Sequence, residues 1–169
     1  MTIRNATVAD AERLLEIYTP YVLETAISFE YDAPTVEEFR RRIAATSEKY
    51  PYLVAEQDGV ILGYCYAGGF HSRRAYIHSS ELSIYIDRAH RREGIGKALY
   101  AKLEQRLAKM NITNLYACIA YVEPEDEYLT QDSVKFHQKC GFVQCARMHG
   151  CGEKFDRLYD LIYMEKIIG

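Results

Sequence analysis

The residues best suited to chemistry sit close together in Glu81-Leu82-Ser83-Ile84-Tyr85-Ile86-Asp87 and the following Arg91-Arg92-Glu93-Gly94-Ile95-Gly96-Lys97. The first segment alternates as a strand, so Glu81, Ser83 and Tyr85 share one face. The second opens an amphipathic helix. A strand that turns through two glycines into a helix N-terminus makes an anion site, because the first amides of a helix lack intrahelical partners and the dipole adds roughly half a positive charge. Gly94 and Gly96 lack side chains, so a diphosphate is expected to approach the peptide closely there. A short Gly-x-Gly can equally be only a tight turn. Two other phosphate loops are excluded: a dinucleotide-binding turn needs a third glycine where Ala98-Leu99 stands, and Gly-x-x-x-x-Gly-Lys-Ser/Thr is absent.

These residues need elements to position them. In the helix that follows, Ile95, Leu99, Leu103, Leu107 and Met110 recur at helical spacing from Gly94 to about Met110, which predicts one buried face. Upstream, Thr2–Thr7 reads as a strand. Asp10 to about Glu24 reads as a helix that Pro20 should kink or split. Thr35 is an N-cap candidate for a second helix to about Lys49, with Glu37 and Glu38 in its first turn. Tyr52–Glu56 and Val60–Phe70 predict a hairpin about Gln57-Asp58-Gly59. Downstream, Leu115–Ala120 is a short strand, Ser133–Cys140 a helix stopped by Gly141, and Phe142–Met148 and Leu158–Ile167 two final strands. This order predicts an α/β fold with one sheet covered by helices on both faces.

The chain's 169 residues suffice for one domain with a real core. A net charge of −3 gives no electrostatic reason to expect nucleic acid. No apolar run approaches bilayer length, and no signal peptide is visible, so neither membrane nor secretion is expected. Five cysteines, Cys65, Cys118, Cys140, Cys145 and Cys151, read as cytoplasmic free thiols in packing roles. A zinc site from Cys145, His149 and Cys151 matches no standard spacing, and no metal is expected. Arg40-Arg41-Arg42 reads as a solvated helix face, whereas the basic run at 88–92 suits a multiply phosphorylated ligand.

The Arg-x-x-Gly-x-Gly loop, with its strand and helix, resembles the acyl-coenzyme A pyrophosphate loop of the GCN5-related N-acetyltransferases (GNAT). The wider chain is similar to the phosphinothricin N-acetyltransferase branch: Thr25-Ala-Ile-Ser-Phe29-Glu30, Tyr50-Pro51, Gly63-Tyr64-Cys65-Tyr66-Ala67-Gly68, Arg73-Arg74-Ala75-Tyr76, Glu81–Tyr85, Ser133-Val134-Lys135-Phe136-His137 and Gly152-Glu153-Lys154-Phe155 fall in its order over about 140 residues. The resemblance implies a single-domain GNAT fold over 1–169, with a mixed, mostly antiparallel central sheet. It also implies an acetyltransferase that uses acetyl-CoA as co-substrate, and a homodimer. Three departures surround the expected acceptor pocket or CoA arm. Thr130 stands for the usual asparagine, Ile77 and Leu158 stand where tryptophan is common, and about seven extra residues carry Glu123, Glu125, Asp126 and Glu127.

By the same resemblance, CoA falls to Arg91 through Lys97, to the strand edge at Ile84, Tyr85 and Ile86, and to Thr130 and Ser133. A backbone N–H near Ile84 is the oxyanion donor. Glu81 corresponds to the general base that must take a proton from an ammonium of pKa about 10. A strand-end glutamate paired with a nearby arginine is the structural alternative. His137 stands where many relatives carry a tyrosine acid; it either protonates the thiolate or only hydrogen-bonds near the sulfur. Phe29, His71, Arg73 and Tyr76 are expected to hold the acceptor, with Arg73 suited to a carboxylate or phosphinate. The expected acceptor is a small amino-acid-like amine. A polyamine, aminoglycoside or protein amine is the rival, favoured by the acidic insert, and a non-catalytic acyl-CoA module is the other.

Overall fold

The computed structural model describes residues 1–169. Seven strands form one sheet in the order β1-β2-β3-β4-β5-β7-β6. They are β1 (Thr2–Asn5), β2 (Tyr52–Gln57), β3 (Val60–Gly69), β4 (Ser79–Ile86), β5 (Asn114–Tyr121), β6 (Val143–Lys154) and β7 (Arg157–Ile167). Helices α1 (Ala11–Glu24) and α2 (Val36–Ser47) cover one face, while α3 (Ile95–Lys109) and α4 (Asp132–Lys139) cover the other. Only β4 and β5 pair in parallel, joined through α3.

Alternation along β4 explains both cores. Leu82 belongs to the α3 core with Ile95, Leu99, Leu103 and Leu107, whereas Tyr85 packs on the α1–α2 core with Tyr18, Phe39, Tyr52 and Tyr64. Each fully buried leucine on α3 stabilises this arrangement by about 1.5–3 kcal/mol, and so fixes the preceding loop against the sheet. Local signals act as expected at two places. Asp58 and Gly59 take φ of 53° and 80°, the two left-handed positions of a tight hairpin turn. Thr35 Oγ1 accepts the Glu38 amide at 3.2 Å and caps α2.

Two boundaries differ from the sequence expectation. α1 runs unbroken through Pro20, held by buried Ile17, Tyr18, Tyr21 and Val22 on either side of it. Thr19 Oγ1 donates to Leu15 O at 2.8 Å, so a side chain serves that turn as well. β6 continues six residues past Met148, through two glycines. A register shift between Met148 and Gly152 absorbs them as a bulge, with Gly150 at φ 54°. The β6–β7 turn uses Phe155 and Asp156 at φ 53° and 57°, without a glycine to announce it.

Candidate active site

β4 and β5 pair only from Ser79↔Asn114 to Leu82↔Ala117, and beyond that point the strands splay. The opening is a narrow cleft of about 60 Å³ lined by Ser83, Ile84, Tyr85, Cys118, Ser133 and His137 among others. The ladder decides which amides face it. Asp87 N–H donates to Leu62 O on β3, and antiparallel pairs alternate, so the amides of Tyr85 and Ser83 also belong to β3. Those of Ile84 and Ile86 therefore point into the gap. They are free to pair with an extended amide-bearing arm, and Ile84 N–H to stabilise an oxyanion.

The phosphate loop lies just past the end of β4. Gly94 caps α3 at φ 81°, and Arg92 is also left-handed at φ 67°. A Cβ on Gly94 would meet nothing within 4 Å, so this glycine leaves open space over the first free amides of α3. Gly96 serves differently from expectation. It is buried, and a Cβ there would stand 2.9 and 3.1 Å from the Phe136 ring and 3.4 Å from Ile84. Its missing side chain lets α3 close on α4 and β4, while Gly94 faces open space. Arg91, Arg92 and Lys97 are exposed and in no ion pair, and Arg91 lies over the Tyr21 ring at 5.7 Å. Open backbone, unpaired cations and a helix N-terminus fit a diphosphate.

Glu81 sits at the start of the splay, between Gly68 on β3 and Tyr116 on β5. Its half-buried carboxyl has no hydrogen bond or arginine partner, and desolvation raises its pKa, offset in part by the charge of His71. A carboxylate with raised pKa and no partner is equipped to accept a proton. The His71 and Tyr76 rings pack on each other at 4.9 Å and on Phe70 at 4.3 and 5.8 Å, so these two residues come together near Glu81. Arg73 caps the short turn ending at Tyr76, exposed and in no ion pair.

Residues 3–163 match the model of the acetyltransferase (GNAT) domain. This chain belongs to the GNAT acetyltransferase family. It is 33% identical to an L-amino acid N-acyltransferase of Escherichia coli (strain K12), over 98% of this chain and 92% of that one. It is 28% identical to a phosphinothricin N-acetyltransferase of Streptomyces viridochromogenes, over 97% and 86%. A solved phosphinothricin acetyltransferase from Sinorhizobium meliloti, in complex with acetyl-CoA, superposes with a TM-score of 0.90 at 32% identity, covering 99% of this chain and 88% of that one. The protein is an acetyl-CoA-dependent N-acetyltransferase.

In this GNAT enzyme His137 is only 3% exposed, with both nitrogens engaged. Nδ1 lies 2.7 Å from Ser133 O, which can only accept, so Nδ1 carries the proton. Nε2 then accepts from Tyr100 O–H at 2.9 Å. Burial depresses the imidazole to about 4, leaving it neutral at physiological pH with no N–H to offer a thiolate. Cys118 also lines the cleft, but burial pushes its thiol up to about 11, which removes it as a thiolate nucleophile. Thr130 is exposed just before α4, while Ser133 in the first turn reaches the cleft.

The extra residues at 123–127 are tied into the protein. Glu125 pairs with Lys135 at 3.3 Å, Glu127 with Arg157 at 2.7 Å, and Glu123 accepts from Tyr121 at 3.0 Å. Asp126 accepts from Tyr159 and Arg157 and from the amides of Tyr128 and Leu129. Arg40, Arg41 and Arg42 are likewise paired, with Glu12, Glu37, Glu38 and Glu30.

Two supporting residues escaped the sequence reading. Tyr100 is fully buried and satisfies His137. Lys154 is 4% exposed, and its Nζ donates to Val22 O, Thr25 O and Ser28 O at 2.6, 2.8 and 2.6 Å. It therefore ties the end of β6 to the segment carrying Phe29. That ring lies so close to Gly152 that a Cβ there would be 2.3 Å away. A lysine at the edge of a hairpin turn reads as surface, and only the tertiary pairing reveals this lock.

Proposed function

We propose that the enzyme acetylates the amine of a small amino-acid-like acceptor of the phosphinothricin or methionine sulfoximine type. The observation that carries this reading is the unpartnered, desolvated Glu81 carboxyl at the mouth of the splay. Glu81 takes the ammonium proton, the amine attacks the thioester carbonyl, and Ile84 N–H holds the oxyanion as the thiolate leaves. The amides of Ile84 and Ile86 hold the pantetheine arm. Gly94 to Lys97, with Arg91 and Arg92, hold the diphosphate. His137, neutral and hydrogen-bonded on both sides, forms the floor of the cleft, where the Ser133 hydroxyl can donate a hydrogen bond to the departing thiolate, which takes its proton from the amine through solvent.

Arg73, free of any carboxylate, receives the acceptor's anionic group, with Phe29, His71 and Tyr76 around it. Internal pairing of the acidic insert removes the field that would draw a polyamine. The retained base argues against a non-catalytic module. The reading extends to one cytoplasmic domain over 1–169, supported by five free thiols. It also extends to a homodimer, supported by the edge strand β6 with Val143 63% exposed, and by Leu158, 65% exposed on the neighbouring β7. The test is CoA thiol release with amino acids, methionine sulfoximine, phosphinothricin, polyamines and aminoglycosides. Turnover confined to polyamines or aminoglycosides ends the acceptor assignment.

A further inference from the structure

A second cavity, about 320 Å³, lies between α2 and the sheet, on the face of β4 that carries Tyr85. That volume is typical of a small-molecule pocket. Its walls are tyrosine rings: Tyr52 and Tyr66 stack at 4.8 Å, and Tyr64 lies 5.8 Å from Tyr52. The Tyr52 and Tyr64 side chains are 4% and 1% exposed and neither hydroxyl has a hydrogen-bond partner in the protein, yet neither oxygen is sealed off, since Arg88 Nε is the buried side-chain atom left unpaired. Burial raises both phenols, so each stays an O–H donor. The one charged wall residue, Arg42, is committed to Glu30 at 2.6 and 3.1 Å and to Glu38 at 3.3 Å. The chamber is thus apolar and electrically neutral, with two idle donors.

It also adjoins the acceptor site. Tyr85 lines both cavities. On the β3–β4 ladder Tyr66 stands opposite Ser83, one step on the same face from the Gly68–Glu81 pair. Two residues of strand span roughly 7 Å, about the reach of an amino-acid side chain whose amine rests at Glu81.

We propose that this tyrosine chamber is the side-chain subsite of the acceptor, and that it selects an amino acid whose long side chain ends in an uncharged group with hydrogen-bond-accepting oxygens. The proposal rests on the amino-acid reading above and chooses within it: a sulfone or sulfoximine fits two phenol donors, whereas an anionic phosphinate finds no free cation in the chamber. Ala45, exposed on α2 and lining the chamber, offers a way to block it.

The experiment measures kcat/KM for L-methionine sulfone, L-phosphinothricin and L-alanine, with KM for acetyl-CoA as a check on the folded site. The parent should prefer the sulfone to both others. Ala45→Trp should lower the sulfone-to-alanine ratio at least about tenfold by filling the space, and the double variant Tyr52→Phe/Tyr64→Phe should lower it roughly five- to tenfold by removing both donors. Both variants should keep the parent's KM for acetyl-CoA. The double variant keeps every ring, so it tests the chamber even if the tryptophan disturbs α2. An active parent whose ratio is unmoved in the double variant overturns the chamber and leaves the amino-acid reading standing. A parent that acetylates no amino acid overturns both.

Discussion

Replacing Lys154 by Met removes the ammonium and keeps a stem of similar length. In the parent, three short hydrogen bonds join Nζ to the carbonyls of Val22, Thr25 and Ser28, at the end of α1 and in the segment beyond it. A hydrogen bond to a charged group contributes about 1.5–3 kcal/mol, and three would sum to about 4.5–9. Desolvation opposes this, since burial lowers the Lys154 pKa below its ordinary value. A net loss of about 3–5 kcal/mol follows, close to the cost of breaking other buried charged networks. A domain is stable by only about 5–15 kcal/mol, so Lys154→Met should remain folded at 25 °C but unfold at markedly lower denaturant concentration. Freed from its anchor, the segment from Thr25 to Tyr31 should no longer hold Phe29 over Gly152. KM for the acceptor should then rise about tenfold or more, while KM for acetyl-CoA stays within about twofold, because the phosphate loop lies on other elements. Lys154→Arg should recover part of the acceptor KM. Urea titration and initial-rate kinetics give both quantities. A Met variant within about 1 kcal/mol of the parent with the same acceptor KM would refute the lock.

Glu81→Gln should cut kcat by about 10²–10⁴ with CoA affinity retained, and should abolish an activity limb that rises with pH through a value above the ordinary carboxylate range. Gly94→Ala and Gly96→Ala should separate binding from packing. The first places a Cβ in the ligand's approach at φ 81° and should weaken CoA binding measured by calorimetry. The second drives a Cβ into Phe136 and should cost about 1–3 kcal/mol of stability. His137 makes stability depend on acidity. Its folded pKa, about 4, lies below the usual 6.5, so the unfolded chain binds more protons between those values and stability falls as pH drops through that window. The full loss is about 3 kcal/mol, and His137→Gln should flatten that part of the stability–pH curve.

What was legible in the sequence was whatever local physics dictates. The period of α3, the alternation of β4 and the left-handed turn at Gly59 each follow from a few neighbouring residues, and the structure has all three. Strand alternation put Glu81 on one face with Ser83 and Tyr85, whereas its reading as a base came from the family resemblance. The misread parts depend on partners far along the chain. Nothing local in Gly94-Ile95-Gly96 says which glycine is packed and which faces open space, since that is decided by Phe136, forty residues after Gly96. Lys154 is defined by carbonyls more than 120 residues earlier, and His137 by Tyr100, 37 residues earlier. The acidic insert looked like a solvent-facing field because Lys135, Arg157 and Tyr159, which neutralise or satisfy it, come later in the chain.

One strand therefore divides the reaction between two faces. Along β4 the odd positions Glu81, Ser83 and Tyr85 look toward α1 and α2, where the proposed base and the tyrosine chamber lie. The even positions Leu82 and Ile84 look toward α3 and α4, where His137 and Tyr100 close the other side. The splay from β5 lets the two sides meet, because past Leu82 no ladder fills the gap. Amine and thioester can thus be gripped by separate sets of residues and meet only at the opening. This arrangement favours direct transfer from thioester to amine, with no acyl-enzyme on the way. The cysteine in the cleft agrees: Cys118 is held as a thiol by burial, and a nucleophile would need it ionised. Cys118→Ala should accordingly keep most of kcat, and incubation with acetyl-CoA alone should leave the protein's mass unchanged. A mass increase of one acetyl group that disappears in the alanine variant would overturn direct transfer.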